Sequence, residues 1–364
     1  MKKTLTITTA RAQNYGAVLQ AYALHKKIFQ LGGQNEIIYL KSERPHFFEK
    51  MEGYGFKIKL IKLLENIFKL IRYTQSKRNF NRFIEFSENN FKHTKEILEL
   101  DEIELKKYDA IITGSDQMFG FGPNSQINKA RFLFFRYSGK IKRYSFAASF
   151  GEYDFTDVQL EFLKQQLNQY EIISVREKQG KKYLKEKLDI EAQVNIDPVF
   201  LLEKEDWEKI IEDEKIIKNK YILCYFLVSS PILETMIKNL KKKYGYPVVC
   251  VQTTAIKRIK ADKYICDAGP KEFLNLIKNA EFVITTSFHG TAFSIIFEKD
   301  FYSILKKGYR TERFESLLEK LNLKDRMLSS VCEEITSINY QEISKIVTEN
   351  REKNIQYLEK ILEK

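Results

Sequence analysis

Cysteine and histidine are scarce in this chain of 364 residues, four of each, and there is one tryptophan. Cys224, Cys250, Cys266 and Cys332 form no C-x-x-C pair, and a chain of this length needs no disulfide staple, so a reducing, cytoplasmic setting is expected. No run approaches the ~18 apolar residues that a membrane-spanning helix requires. Lys2 and Lys3 open the chain, but no long apolar segment follows them, so no secretory leader is expected. Neither a G-x-G-x-x-G run nor a lysine-bearing phosphate loop occurs, which removes the two commonest nucleotide-binding signatures. His25, His46 and His93 lie far apart, without the His/Cys/Asp spacing of a metal site, so no metal is expected.

What is present describes a globular protein, with 43% hydrophobic and 30% charged residues. The length suits two domains. A net charge of +12 favours anionic partners. The positive charges are dispersed along the chain, so nucleic acid is not expected among them. Short apolar strands alternate with helical stretches, the pattern of a mostly parallel sheet covered on both faces. Strands are expected at Leu5 to Thr8, Asn35 to Leu40, Asp109 to Thr113, Lys142 to Ala147 and Ile172 to Val175, with a helix over Gly16 to Phe29. The pattern restarts with strands at Tyr221 to Val228, Pro247 to Gln252, Phe282 to Thr286 and Phe301 to Leu305. Helices are expected there at Pro231 to Tyr244, Phe273 to Ala280 and Thr291 to Phe297. Charged Glu203 to Lys220 reads as a helical connector. The expected division is an N-terminal domain over 1–200, a C-terminal domain over 201–339, and a last helix, within 340–364, that packs back on the first domain.

One segment breaks the rhythm, an insertion at about 50–95. From Phe56 to Phe86 eight Lys or Arg face two Glu, and Phe56, Leu60, Leu64, Ile67, Phe68 and Ile71 fall near one helical face. Such a basic amphipathic helix either lies on anionic lipid or packs on the domain with a solvated basic edge.

Four polar clusters sit at expected strand ends. In Gln13-Asn14-Tyr15-Gly16, Asn14 and the following amides could hold an anion or a sugar hydroxyl, or Asn14 could only cap the helix. In Thr113-Gly114-Ser115-Asp116-Gln117, Asp116 and Gln117 offer a carboxylate and an amide to a polyol, with Asp116 either a base or a turn cap. Arg176, directly after an apolar strand, could grip a phosphate or carboxylate, or pair with a nearby acid. In Ile284 to Ser294 a histidine, several hydroxyls and Gly290 end a buried strand, and His289 is either a general acid or a helix cap.

Taken in order, these segments resemble one family. They are Asn14-Tyr15-Gly16-Ala17-Val18-Leu19-Gln20-Ala21-Tyr22-Ala23-Leu24, Ile112 to Gln117, Ser145 to Gly151, Ser174-Val175-Arg176-Glu177, Asp197-Pro198-Val199, and Ala268-Gly269-Pro270-Lys271-Glu272-Phe273 leading to Thr286-Ser287-Phe288-His289-Gly290-Thr291-Ala292. The set is similar to the polysaccharide pyruvyl transferase family. That resemblance implies two Rossmann-like α/β domains facing across a cleft, similar to GT-B glycosyltransferases. It implies transfer of a pyruvyl group from phosphoenolpyruvate to hydroxyls of a saccharide, as a cyclic ketal, with phosphoenolpyruvate a substrate and no tightly bound cofactor. The acceptor is expected to be a precursor of bacterial capsule, exopolysaccharide or cell-wall polysaccharide. A polyprenyl-diphosphate carrier and peripheral contact with the inner face of the cytoplasmic membrane are part of the same expectation.

By the resemblance His289 matches the catalytic histidine and Arg176 the arginine on the donor phosphate; the reaction also needs a base or hydrogen-bond acceptor for the hydroxyls, which Asp116 fits. Asn14, Tyr15, Gln117, Ser287 and Thr291 join the expected substrate contacts. Many members carry Arg-x-His-Gly where this chain has Ser287, so Lys257, Arg258, Arg310 or Arg313 is expected to supply the missing charge. The alternative is a sugar-nucleotide-dependent glycosyltransferase on the same plan, its donor near Gly269, Pro270, Glu272 and Phe273.

Overall fold

The computed structural model describes residues 2–40, 73–97, 103–120, 141–151, 153–252, 259–305, 311–332, 334 and 336–363. Two parallel sheets organise them. The first contains β1 (Lys3–Ile7), β2 (Gln34–Ile37), β3 (Ala110–Thr113) and β4 (Lys142–Ser145) in the order β2-β1-β3-β4. Parallel bridges Tyr144–Ile172 and Ala148–Val175 continue it into the short pair β5 (Ser174–Val175) and β6 (Gln193–Val194). β3 is apolar and buried along its whole length, which requires cover on both faces.

The second sheet contains β7 (Ile222–Tyr225), β8 (Val248–Val251), β9 (Lys263–Ile265), β10 (Phe282–Thr285), β11 (Asp300–Ile304) and β12 (Met327–Leu328). Its order β12-β11-β10-β7-β8-β9 is that of a dinucleotide-fold sheet, reversing between β7 and β10. The first sheet reverses between β1 and β3. In open parallel sheets ligands bind beyond the carboxyl ends at such reversals. Thr8, Gly114 and Ser115 stand at one of them, and Thr286, Ser287 and His289 at the other.

Helix α1 (Tyr15–Gln30) joins the two halves. Asn14 caps it, and its apolar residues are buried on nearly every side, against its own sheet and against the second domain. Helix α2 (Tyr73–Asn90) lies within the basic insertion; the Phe56 to Arg72 part falls outside the described residues. Helices α3 (Asp157–Leu167) and α4 (Lys178–Tyr183) complete the first half.

The connector differs from the sequence reading. Helix α5 covers only Lys204–Glu208, and an irregular path follows to Lys220. Asn275 explains how that path is held: its Nδ2 donates to the carbonyls of Glu212 and Glu214 at 3.0 Å each, and its Oδ1 accepts from Ile216 N. A side chain of the second domain thus satisfies backbone groups that a helix would have paired internally.

The second half adds α6 (Pro231–Tyr244), α7 (Pro270–Lys278), α8 (Phe288–Ile296) and α9 (Glu312–Lys320). The last helix, α10 (Tyr340–Leu362), returns to the first sheet. Tyr357 Oη donates to Ser145 O at 2.8 Å, Asn354 to Ile196 O at 3.0 Å and Arg351 to Phe200 O at 2.9 Å. Its buried Tyr357, Leu358 and Ile361 share a core with Leu24, Ile28, Ile112 and Phe146. Among the described residues no helix is long and apolar enough to cross a membrane.

Candidate active site

The site is built where the first turn of α8 meets the first turn of α1. Strand β10 ends at Thr285, whose Oγ1 donates to Tyr225 O at 2.6 Å and accepts from Ser287 N at 3.0 Å. Ser287 caps α8, its Oγ accepting from Gly290 N at 3.3 Å. The cap is therefore Ser287, which leaves the imidazole of His289 without a capping role. The helix begins three residues earlier than its periodicity suggests, so Gly290 is helical rather than a turn. A Cβ on Gly290 would stand 2.4 Å from Thr285 Oγ1, so glycine is required there by close packing.

His289 reaches across to the first domain and is 7% exposed. A Cβ on Gly16 would stand 1.9 Å from His289 Nδ1, so the ring lies over the bare Cα of that glycine. On its other side Nε2 is 3.4 Å from Asp197 Oδ2. Asp197 follows β6, is fully buried, and its Oδ1 accepts from Val199 N at 3.1 Å as the cap of a 3-10 turn over Pro198–Leu201. Its Oδ2 accepts from Arg176 Nη1 at 2.6 Å and lies 3.5 Å from Ser115 Oγ. Burial alone would raise the Asp197 carboxyl, but His289 and Arg176 hold it well below the ordinary range.

Arg176 is 3% exposed. Besides Asp197 it meets Glu177 Oε1 at 3.5 Å and Asp116 Oδ1 at 3.9 Å, so it pairs with nearby acids at the sheet mouth. Its buried Nη2 makes no hydrogen bond, leaving one donor to offer. Burial would lower its pKa, but the three carboxylates keep it raised and the side chain charged. Glu177 also bonds Ser149 Oγ, and burial pushes its carboxyl up despite Arg176.

Asp116 has a φ of 70°, in the left-handed region, which aspartate tolerates better than most residues. Its neighbour in space, Ala147, has a φ of 48° and is held by Ser115 Oγ on its carbonyl and Ser174 Oγ on its amide. Two left-handed residues at adjacent strand ends mark local strain, which clusters at functional sites. Gln117 packs beside Gly151.

Arg313 lies on α9. Its guanidinium is 5.9 Å from the ring of Phe288, and Arg176 is 4.7 Å from the same ring. Lys178 N donating to Ser316 Oγ at 3.2 Å docks α9 against α4 and brings Arg313 to this place. Lys257, Arg258 and Arg310 lie outside the described residues.

Other expected contacts are placed elsewhere. Tyr15 is fully buried, its hydroxyl donates to Ala268 O at 2.8 Å, and its ring stacks on Phe273 at 4.3 Å, so it joins the domains rather than touching substrate. Thr291 is fully buried and bonds Ser287 O and Ser303 Oγ, which removes it from the substrate list. Asn14 is exposed and its Oδ1 accepts from Ala17 N at 3.2 Å, so the cap is made. Gly269 and Glu272 form half of a capping box, Gly269 N donating to Glu272 Oε2 at 2.8 Å while the glycine has no side chain to reciprocate.

Helix α2 covers that box. Arg82 Nε pairs with Glu272 Oε1 at 3.2 Å, and its Nη1 donates to Asp267 O at 2.8 Å. Arg78 pairs with Asp267 at 3.0 Å, and Asn79 bonds Ala268 O and Gln13. A Cβ on Gly269 would stand 2.5 Å from Arg82 Cβ. Of the two readings of the basic segment, packing on the protein is the one its described part follows.

Sequence reasoning missed Asp197, Glu177 and the reason for Gly16. Asp197 precedes proline and looks like an ordinary turn cap, a role it also fills. The need for glycine at 16 is invisible without the histidine from the other domain. Among the described residues no cluster of His, Cys, Asp and Glu could hold a metal ion.

A family model described as polysaccharide pyruvyl transferase matches residues 14–305. Curated proteins provide no match. Solved structures do. The S. aureus MnaA–UDP co-structure shares 12% identity at a TM-score of 0.50, covering 96% of this chain and 88% of its own. UDP-GlcNAc 2-epimerase from Neisseria meningitidis, bound to UDP-GlcNAc, shares 13% at 0.50, covering 97% and 94%. At such identity these similarities concern the fold alone, which is the two-domain GT-B-type plan expected from the resemblance.

Proposed function

Because the chain belongs to the polysaccharide pyruvyl transferase family, we propose that it moves a pyruvyl group from phosphoenolpyruvate to two hydroxyls of a saccharide. The observation that carries this reading is the convergence of His289, Arg176 and Asp116 from three chain segments on one buried point between the sheets. Protonation of the donor methylene carbon makes the adjacent carbon an oxocarbenium-like centre. An acceptor hydroxyl adds there, the carbon–oxygen bond to phosphate breaks, and a second hydroxyl closes the ketal. Of the two hydroxyl protons, one balances the proton placed on carbon and the other leaves with phosphate.

His289 is the acid, Arg176 Nη2 and Arg313 meet the donor's negative charge, and Asp116 accepts from the hydroxyl. Gln117 and Asn14 orient the acceptor. Arg313 stands in for the arginine that Ser287 replaces. His289→Gln should keep donor binding and lose most turnover; retained full activity removes the assignment.

The rival reading, a nucleotide-sugar donor near Gly269 and Glu272, is disfavoured by Arg82, which occupies the carboxylate and packs on the glycine. Thermal shifts with phosphoenolpyruvate and with several nucleotide sugars separate the two. Stabilisation by nucleotide sugars alone would falsify the pyruvyl reading.

The lipid-linked acceptor and peripheral contact with an anionic membrane belong to the same proposal. Arg78 and Arg82 bind Asp267 and Glu272, so the test of a membrane role falls on the lysines outside the described residues, Lys57, Lys59, Lys62 and Lys69. Neutralising those four lysines should weaken retention on anionic vesicles. Equal retention removes the membrane role.

A further inference from the structure

Asp197 Oδ2 serves two groups at once, Arg176 Nη1 at 2.6 Å and His289 Nε2 at 3.4 Å. Nε2 is shut away from solvent and has no full hydrogen bond. A bare Nε2 would set a lone pair against a carboxylate oxygen, two acceptors facing each other in a buried place. A protonated Nε2 turns the same approach into an attraction. The other groups around the ring do not compete for this proton. Gly16 offers only its Cα, Phe288 is apolar, and Glu177 and Asp116 lie against Arg176.

We propose that Asp197 is the positioning residue of the site: it holds the proton of His289 on Nε2, so that the proton given to substrate leaves from Nδ1, above Gly16. One carboxylate thereby registers the acid of one domain against the anion-binding arginine of the other. The inference rests on the reading of His289 as the acid, and goes beyond it by naming the tautomer and the residue that sets it. Ring orientation by an outer carboxylate commonly contributes ten- to a hundredfold, and it acts on the bound complex rather than on donor affinity.

The test uses the full chain with ¹⁵N-labelled histidine, His289 being assigned by difference from His289→Gln. Wild type in the neutral form is expected to carry its proton on Nε2, and Asp197→Asn to shift the ring toward a mixture or toward Nδ1–H. In transfer assays Asp197→Asn should lower kcat by about 10- to 100-fold with the donor KM within roughly threefold, and Asp197→Glu should recover part of the loss. A bare Nε2 in wild type overturns the proposal even if the variants fail to fold. So does an unchanged tautomer in Asp197→Asn, or a loss confined to KM, which would tie Asp197 to Arg176 alone. If no pyruvyl transfer is found, the tautomer still decides the role of Asp197, while the reaction assignment falls by itself.

Discussion

Gly16 is the residue whose replacement would be felt most directly at the site. A Cβ there would overlap His289 Nδ1, at 1.9 Å, so Gly16→Ala must displace the imidazole. A displacement of about 1 Å can cost on the order of a hundredfold in rate, and a loss of that order in transfer, with the chain still folded by circular dichroism, is the expected outcome. Tyr15 gives the opposite contrast. Tyr15→Phe removes the bond to Ala268 O and should lower stability by about 1 kcal/mol in denaturant titration, with donor KM unchanged. A raised KM with unchanged stability would return Tyr15 to the substrate.

His25 shows how a histidine can be structural. It is buried, Asn35 Nδ2 approaches its Nδ1 at 2.9 Å, and its Nε2 accepts from Lys92 N. Desolvation, with Lys92 and Lys26 behind it, lowers its pKa from 6.5 to about 4. The folded pKa lies below the unfolded one, so as pH falls from 6.5 the unfolded chain takes up a proton that the folded chain refuses. Stability should therefore decline between pH 6.5 and about 4, by an amount on the order of 3 kcal/mol from this group. His25→Gln should flatten that part of the stability–pH curve; an unchanged slope would assign it to other groups.

At the scale of elements, α2 is the feature that the pattern of charges leaves open. Its arginines could have faced lipid; instead they close on Asp267 and Glu272 at the start of α7. Both pairs are partly solvated, so Arg82→Ala should cost only about 1–2 kcal/mol, measured as a fall in unfolding free energy. Transfer to the acceptor should persist, because Arg82 is not part of the reaction centre. Helix α6 was legible to the residue and α10 in its approximate extent, since proline or asparagine marks their starts. The connector after Glu203 was not, because the groups that hold it come from Asn275, more than fifty residues away in sequence. The start of α8 was misplaced for a related reason: Ser287, Phe288 and His289 look like a polar turn until Thr285 is seen to organise it.

For the whole molecule, α10 is, with α1, an element that ties the two halves together. Its first turns pack with the second domain through Ile343 and Val347, and its last turns complete the core under the first sheet. Three side chains of the latter core, each contributing about 1.5–3 kcal/mol, are comparable to the whole stability of an ordinary domain. A chain ending at residue 339 should therefore lose its cooperative unfolding transition, followed by calorimetry; an intact transition would show α10 to be accessory.

The sequence by itself determined the alternation of parallel strands and helices, the two-domain plan, and the motifs that carry His289, Arg176 and Asp116. Those properties are local: apolar periodicity, capping residues and short ordered segments. Only the tertiary structure decided what these residues do to one another. It brought Asp197 between Arg176 and His289, set the ring over Gly16, removed Tyr15 and Thr291 from the substrate list, and placed Arg313 beside Phe288 where Ser287 supplies no charge. The reason is physical. A buried carboxylate takes its role from the charges that reach it, and here they arrive from segments separated by up to ninety residues or more, whose meeting no local pattern encodes.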